Sequence, residues 1–177
     1  HRGWIEVESA PGQGAVFIAA HQANWEIDMT TLHVRFNVVP NLTYRAPNNP
    51  MTDYLLEYAR TLGGRIKAIP KARSSGRDLM TVMKNKEYLG ILIDQDTRVQ
   101  GVFVPFFGRL AFTPRAAGDL ALRFHAPVLV GWARRRGPRP GAGHEIFVEE
   151  VPYDARPADP EAESIRITAR ATAILQK

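Results

Sequence analysis

The chain has 177 residues, of which 45% are hydrophobic and 23% charged, a balance that is ordinary for one globular domain. It contains no cysteine, which excludes disulfides, thiolate metal ligands and a cysteine nucleophile. No apolar run approaches the roughly 18 residues that a membrane-spanning helix needs. The net charge of +5 favours an anionic partner, such as a phospholipid, a nucleic acid or an acidic protein.

The segment 15–27, AVFIAAHQANWEI, predicts a buried strand that runs directly into a polar turn. A sheet fixes the backbone at such a place while the turn exposes its side chains. Asn24 is a candidate N-cap for a helix that continues through Leu32. That helix places Glu26 in its first turn, where the helix dipole favours a negative charge.

His21 and Glu26 are five positions apart, which in a continuous helix corresponds to roughly 140° of rotation and two different faces. If His21 instead lies in the turn before the helix, the Glu26 carboxylate can reach back to one imidazole nitrogen. It would then fix the tautomer and leave the other nitrogen to take a proton from an alcohol. The alternative is a solvated loop histidine beside a helix-capping acid.

Strands and helices alternate along the rest of the chain. Strands are predicted at 15–20, 37–45, 65–70, 88–93, 127–133 and 144–151. Helices are predicted at 52–62, 77–86, 113–124 and 165–175, with a polar linker at 152–163. This alternation predicts an α/β layered domain whose central, mostly parallel mixed sheet is flanked by helices.

The predicted helix 52–62 carries an apolar stripe on one face. The stripe comprises Tyr54, Leu55, Tyr58 and Leu62.

The carboxyl ends of parallel strands share one edge of a sheet, so three polar clusters are expected there. They are His21 to Glu26, Tyr44-Arg45, and Asp94-Gln95-Asp96. Arg45 is a candidate anion clamp, with a surface ion pair as the alternative. Asp94 and Asp96 suit a ligand hydroxyl or, at poor spacing, a metal; alternatively, Asp94 only orders loops by accepting backbone N–H bonds.

Two further segments leave alternatives open. The segment 101–112, GVFVPFFGRLAF, is too apolar for an ordinary loop. Its phenylalanines suit a core, an acyl channel or contact with a bilayer, and they are Phe103, Phe106, Phe107 and Phe112. The run Arg134-Arg135-Arg136 is typical of a solvated basic loop, with lipid headgroups or nucleic acid as alternative partners.

The sequence lacks a glycine-rich phosphate loop and a serine in a nucleophile elbow. The chemistry that remains is a histidine base with a carboxylate and an arginine.

Five blocks of the sequence, in order across roughly residues 15–133, resemble the bacterial lipid A biosynthesis acyltransferases, the lauroyl/myristoyl transferase family. AAHQANWE resembles the family's GHxxNWE block, its version of the His-x4-Asp/Glu motif that glycerolipid acyltransferases share. The other blocks are YRAPNNPMTD, IPKARSSGRDLM, GILIDQD and GVFVPFFGRLAFTPRAAGDLALRFHAPVL. Ala20 replaces a usual glycine and Gln22 a common aromatic residue; neither position carries the proton chemistry.

The resemblance implies acyl transfer from acyl carrier protein, or acyl-CoA, to a hydroxyl of a lipid A precursor. His21 would be the base and Glu26 would orient and polarise it. Arg45 would contact phosphate or the thioester region. The other expected substrate-binding residues are Asn24, Asp94, Gln95, Asp96 and Phe106. No cofactor or metal is expected.

The resemblance also implies one catalytic domain over residues 1–177, expected to be a fragment without the family's N-terminal membrane helix and C-terminal segment. The complete protein is expected at the cytoplasmic face of a bacterial inner membrane, where it would meet a lipid surface but no nucleic acid. Two other hypotheses remain. The first is an acyltransferase for another glycolipid or phospholipid, and the second is a non-catalytic module that binds anionic lipid or nucleic acid.

Overall fold

The structure, a computed structural model, describes residues 14–22, 33, 38–44, 46–61, 66–70, 75–95, 100–139 and 141–177. The main sheet contains the strands β1 (Ala15–Ala19), β2 (Pro40–Tyr44), β3 (Lys67–Pro70), β4 (Tyr88–Leu92), β7 (Val128–Arg135) and β8 (His144–Glu150). A separate hairpin contains β5 (Gly101–Phe106) and β6 (Arg109–Pro114). The described helices are α1 (Pro50–Thr61), α2 (Ser75–Lys84), α3 (Ala116–Phe124) and α4 (Pro160–Ile174).

The main sheet has the strand order β3-β2-β4-β1-β7-β8. Every pairing in it is parallel except the last, in which β8 runs antiparallel to β7 at one edge. This arrangement confirms the predicted α/β layered fold with a mostly parallel mixed sheet. Because β1 lies between β4 and β7, its carboxyl end opens at the middle of the edge where ligands bind in such sheets.

Strand β1 is buried on both faces, which explains its uninterrupted apolar sequence. Val16 and Ile18 belong to a core that also contains residues of α2, α3 and α4, while Phe17 packs into a second core on the opposite face. Gly131 of β7 lies against the Phe17 ring, and a Cβ built at Gly131 would come within 2.1 Å of the ring. The centre of the sheet is therefore packed without room for one more methyl group.

The apolar segment 101–112, too hydrophobic for an ordinary loop, forms the β5–β6 hairpin. Its second strand extends to Pro114, so the prediction of a helix from Thr113 is wrong at its start. Proline disfavours the helical conformation in the residue before it, which keeps Thr113 extended. The last helix begins at Pro160 and not at Ile165, because the Asp159 carboxylate accepts the Ala162 N–H at 3.0 Å as an N-cap.

The apolar stripe of the predicted helix 52–62 is exposed. In α1 the side chains of Tyr54, Leu55 and Tyr58 are 63%, 56% and 59% exposed, and Met51 extends the same stripe at 65%. Leu62 lies outside the described residues. The 3.6-residue period of a sequence identifies an apolar helix face, but it does not say whether another element covers that face.

Helix α4 is fixed at its amino end by Glu163. This buried carboxylate accepts the Asp154 N–H at 3.0 Å and the Arg166 Nε–H at 2.5 Å. Burial alone would raise the pKa of Glu163, but the backbone hydrogen bond and the Arg166 charge outweigh it and lower the pKa from its ordinary value. The first turn of α4 is thereby held against the loop that follows β8, and the other end of α4 reaches the carboxyl edge of the parallel strands.

Candidate active site

The register of β1 and β4 brings His21 opposite Asp94. Ala19 pairs with Leu92 at the last rung, and the chain continues two residues beyond each to reach this pair. The Asp94 Oδ1 lies 2.7 Å from His21 Nδ1, and its Oδ2 accepts the His21 backbone N–H at 2.7 Å. One carboxylate therefore holds both the main chain and the ring of His21.

This arrangement defines the chemistry of the imidazole. An ionised carboxylate can only accept hydrogen bonds, so the Asp94 contact places a proton on Nδ1 and makes Nε2 the basic nitrogen of the neutral ring. The side chains of His21 and Asp94 are 37% and 22% exposed, so a substrate can reach the ring. A histidine in this state can accept a proton from an alcohol.

An apolar cavity of about 580 Å³ lies beside this carboxylate, between the β5–β6 hairpin and the end of α4. Its volume falls within the range of about 300–1,000 Å³ that is usual for small-molecule sites. Among the residues that the structure describes, Asp94 is the one charged group in its wall. The lining residues are Ile93, Asp94, Phe103, Phe106, Ala111, Phe112, Thr113, Thr172 and Leu175.

The carboxyl end of α4 fastens two parts of the site together. Gln22, next to His21, donates a hydrogen bond from Nε2 to the Leu175 carbonyl at 2.9 Å. The Gln176 Oε1 accepts the Phe107 N–H at the hairpin tip at 2.7 Å. The hairpin that covers the cavity and the turn that carries His21 are thus held by adjacent residues of one helix end.

The hairpin tip has a strained two-residue turn. Phe107 and Gly108 both adopt positive φ, at 46° and 75°. This is the turn class that matches the twist of the flanking strands, but it suits glycine and not phenylalanine. The bond from the Phe107 N–H to Gln176 helps to stabilise this conformation.

The structure brings together some of the residues predicted for the site. His21 contacts Asp94, and Phe106 lines the cavity that Asp94 borders. Gln95 follows Asp94 and is exposed. The remaining candidates lie outside the described residues: Asn24, Glu26, Arg45 and Asp96.

The open alternatives for the phenylalanines are resolved in part. Phe103, Phe106 and Phe112 line the cavity, and Phe103 is nevertheless 66% exposed. Phe107, at the hairpin tip, is also 66% exposed and is not among the lining residues. For Asp94, the loop-ordering role holds, since it accepts the His21 backbone N–H, and the same carboxylate also contacts the ring. Within the described ranges, no group of three or more histidine and acidic side chains is arranged to hold a metal ion.

The sequence predicted Asp94 at this edge of the sheet, but not its contact with the His21 ring. The polar triplet at the end of a predicted strand was the signal that identified Asp94. The predicted contact of Glu26 with the same ring stays a prediction, because Glu26 lies outside the described residues. Gln22 and Gln176 were missed as residues that hold the site together, and no sequence signal pointed to Gln176.

The family model for bacterial lipid A biosynthesis acyltransferases matches residues 4–147, well over half of the chain. The chain belongs to this family. The match includes His21, Asp94 and the whole β5–β6 hairpin, and ends within β8. A search of curated protein sequences finds no match.

Membership of the family makes the protein an acyltransferase of the lipid A type in general terms. None of the helices in the described part of the chain combines the length and the hydrophobicity needed to cross a bilayer.

Replacing Asp94 by Asn should switch the tautomer of His21. The amide oxygen must accept the obligatory backbone N–H of His21, so its NH₂ group then faces Nδ1 and requires a lone pair there. The ring proton should move to Nε2, and acyl transfer should fall by about 10²- to 10⁴-fold. ¹⁵N NMR of the imidazole, recorded where the ring is neutral, measures the change.

Asp78→Asn, on the first turn of α2, provides the control and should leave the His21 signals unaltered. An Nδ1–H tautomer in both wild type and Asp94→Asn would show that Asp94 does not set the state of the ring.

Proposed function

We propose that the protein transfers a fatty acyl chain from acyl carrier protein, or acyl-CoA, to a hydroxyl of a lipid A precursor or a related glycolipid, with His21 as general base. The observation that carries this proposal is the 2.7 Å contact between His21 Nδ1 and Asp94 beside an apolar cavity. A base at the mouth of an apolar pocket fits a reaction that joins a polar hydroxyl to a long hydrocarbon chain.

The chemistry follows from the tautomer. His21 Nε2 takes the proton of the acceptor hydroxyl as its oxygen attacks the thioester carbonyl. The tetrahedral intermediate collapses with loss of the C–S bond, and the leaving thiolate takes the proton from the imidazolium. The Asp94 carboxylate stabilises the imidazolium and holds its orientation throughout, as a positioning residue. The acceptor supplies the attacking group, so no nucleophile on the enzyme is required.

The family resemblance supplies the other roles in this proposal. Glu26, five residues after the base, would act with His21 as the His-x4-Glu dyad and polarise it further. Asn24 and Arg45 would contact the substrate, with Arg45 on a phosphate or near the thioester because its planar fork suits oxyanions. Gln95 and Asp96 would shape the acceptor side of the same sheet edge.

The hairpin supports the assignment of the cavity to the acyl chain. Its aromatic residues Phe103, Phe106 and Phe112 line the cavity. The side chains of Phe103, Phe107 and Leu110 are 66%, 66% and 68% exposed. Exposed apolar side chains of this kind suit contact with a lipid surface, from which a lipid acceptor would come.

A transfer assay on the complete protein tests the proposal. Defined acyl carrier protein and acyl-CoA donors are combined with lipid A precursor, and products are identified by mass. Wild type should form the acylated lipid, and His21→Ala should lose transfer by about 10³-fold or more, since the proton acceptor is gone. His125→Asn is the control, because this histidine bonds the Ala155 carbonyl away from the site and Asn tolerates its positive φ.

Full activity of His21→Ala would contradict the mechanism. If the protein acylates a different glycolipid or phospholipid but not lipid A precursor, that lipid is the acceptor. Tight lipid or nucleic-acid binding without turnover by wild type would favour the non-catalytic module.

Changing the size of Phe106 should change the preferred acyl-chain length. Phe106→Ala enlarges the cavity and should favour longer chains, while Phe106→Trp should favour shorter ones. One methylene in an apolar pocket is worth about 1–3 kcal/mol, so the shift in relative kcat/KM should be graded across donors two carbons apart. Competition between mixed donors, read by mass, gives the ratio.

Phe107→Ala is the matched control, because it removes the neighbouring phenylalanine, which does not line the cavity. Equal chain-length profiles for wild type and well-folded Phe106 variants would place the acyl chain elsewhere.

A further inference from the structure

The β7–β8 hairpin carries arginines past the catalytic edge of the sheet. Strand β7 is the parallel neighbour of β1, with Ile18 paired to Val130. If this register is continued by three residues on each strand, His21 lies beside Ala133. Arg134 to Arg136 therefore extend about 3–10 Å farther along the strand direction, at roughly 3.3 Å per residue.

One of these arginines is neutralised by the hairpin itself. Arg134 is paired with Glu145 across the ladder at 2.8 Å, and its guanidinium lies 5.4 Å from the centre of the Phe147 ring. These contacts continue β7 two residues beyond its predicted end. Arg134 therefore has a structural role in building the hairpin.

Among the described residues, the next three arginines form no such close ion pair, although the charge of Arg136 contributes to the lowered pKa of Glu145 after the hydrogen bond and charge of Arg134. Arg135, Arg136 and Arg139 are exposed, and the ion pairs between described residues include none of them. We call these three residues the arginine tip. A cluster of exposed guanidinium groups without close ion pairs attracts anions and suits bidentate contacts with carboxylates. Its position makes it a surface that a partner would meet while facing the active site.

The composition of the hairpin loop distinguishes between anionic partners. Residues 136–143, RGPRPGAG, contain no large apolar side chain. Segments that bind a bilayer combine basic residues with aromatic or aliphatic residues that enter it. In the part of the chain that the structure describes, such exposed side chains are concentrated on α1 and on the β5–β6 hairpin. The arginine tip thus fits an acidic protein better than a lipid surface.

We propose that the arginine tip is the docking surface for an acidic acyl carrier protein that delivers its thioester to His21. This inference rests on the proposed function and specifies the donor. The acidic face of the carrier would pair with Arg135, Arg136 and Arg139. Its flexible prosthetic arm would then cross from the hairpin to the neighbouring end of β1. Electrostatic docking of this kind raises the association rate and is sensitive to salt.

Charge reversal at the tip separates docking from chemistry. Arg135→Glu/Arg136→Glu should raise KM for acyl carrier protein by about 10- to 100-fold, because two attractive pairs become repulsive. The kcat at saturating acyl carrier protein should stay within about twofold of the wild-type value. The kcat/KM for S-acyl-pantetheine, a donor without the carrier protein, should do the same. Added salt should raise the wild-type KM for the carrier steeply and that of the variant little.

The control is Arg123→Glu/Arg156→Glu, which makes the same change in charge. Both residues are exposed near the carboxyl end of α3, on the side of the sheet where the parallel strands begin. Their substitution should leave the KM for both donors unchanged. An unchanged KM for the carrier in the tip variant would overturn the proposal. An equal fall in kcat/KM for the carrier-bound donor and for S-acyl-pantetheine would also overturn it. The same holds if the tip variant no longer sediments with anionic phospholipid vesicles while its KM for the carrier stays constant.

Direct binding keeps this test distinct from that of the proposed function. Fluorescence anisotropy of labelled acyl carrier protein should show weaker binding to the tip variant than to wild type or the control. If wild type transfers no acyl group and this difference persists, the enzymatic proposal fails and the docking surface stands. Equal binding by all three proteins would overturn the docking surface.

Discussion

The two hydrogen bonds from His21 to the carboxylate of Asp94 depend on how two parallel strands pair. The last rung, Ala19 with Leu92, leaves both chains two residues short of this contact. A slip of one residue would turn the Asp94 side chain to the opposite face, because side chains alternate along a strand. Burial of β1 on both faces opposes such a slip, so the packing of the core fixes the geometry of His21 and Asp94.

The apolar cavity depends on the same sheet edge, but its walls come from elements far apart in sequence. The β5–β6 hairpin supplies the aromatic wall, and the end of α4 supplies Thr172 and Leu175. Gln176 holds the strained tip of the hairpin, while Gln22 connects the turn of His21 to Leu175. The carboxyl end of α4 thus holds both the turn of His21 and the cavity wall, and Glu163 anchors the amino end of the same helix.

The sequence predicted what local pattern and chemistry determine. Alternating strands and helices predicted the sheet, and polar triplets at strand ends identified His21 and Asp94. Their contact could not be predicted, because the sequence does not contain the register of β1 and β4. The exposure of Tyr54 and Leu55 could not be predicted for a related reason, since a periodic stripe does not reveal whether another element covers it. Glu26 and Arg45 remain predictions, as they lie outside the described residues.

The central claim is that the acceptor hydroxyl attacks the thioester directly with His21 as its base. Intact-protein mass spectrometry of a rapidly quenched single turnover tests it most directly, with enzyme in excess over acyl carrier protein donor. The mass of the chain should stay constant while acylated lipid accumulates. An acylated chain that forms before the product and decays as the product appears would contradict the account, because the acyl group would then pass through the enzyme.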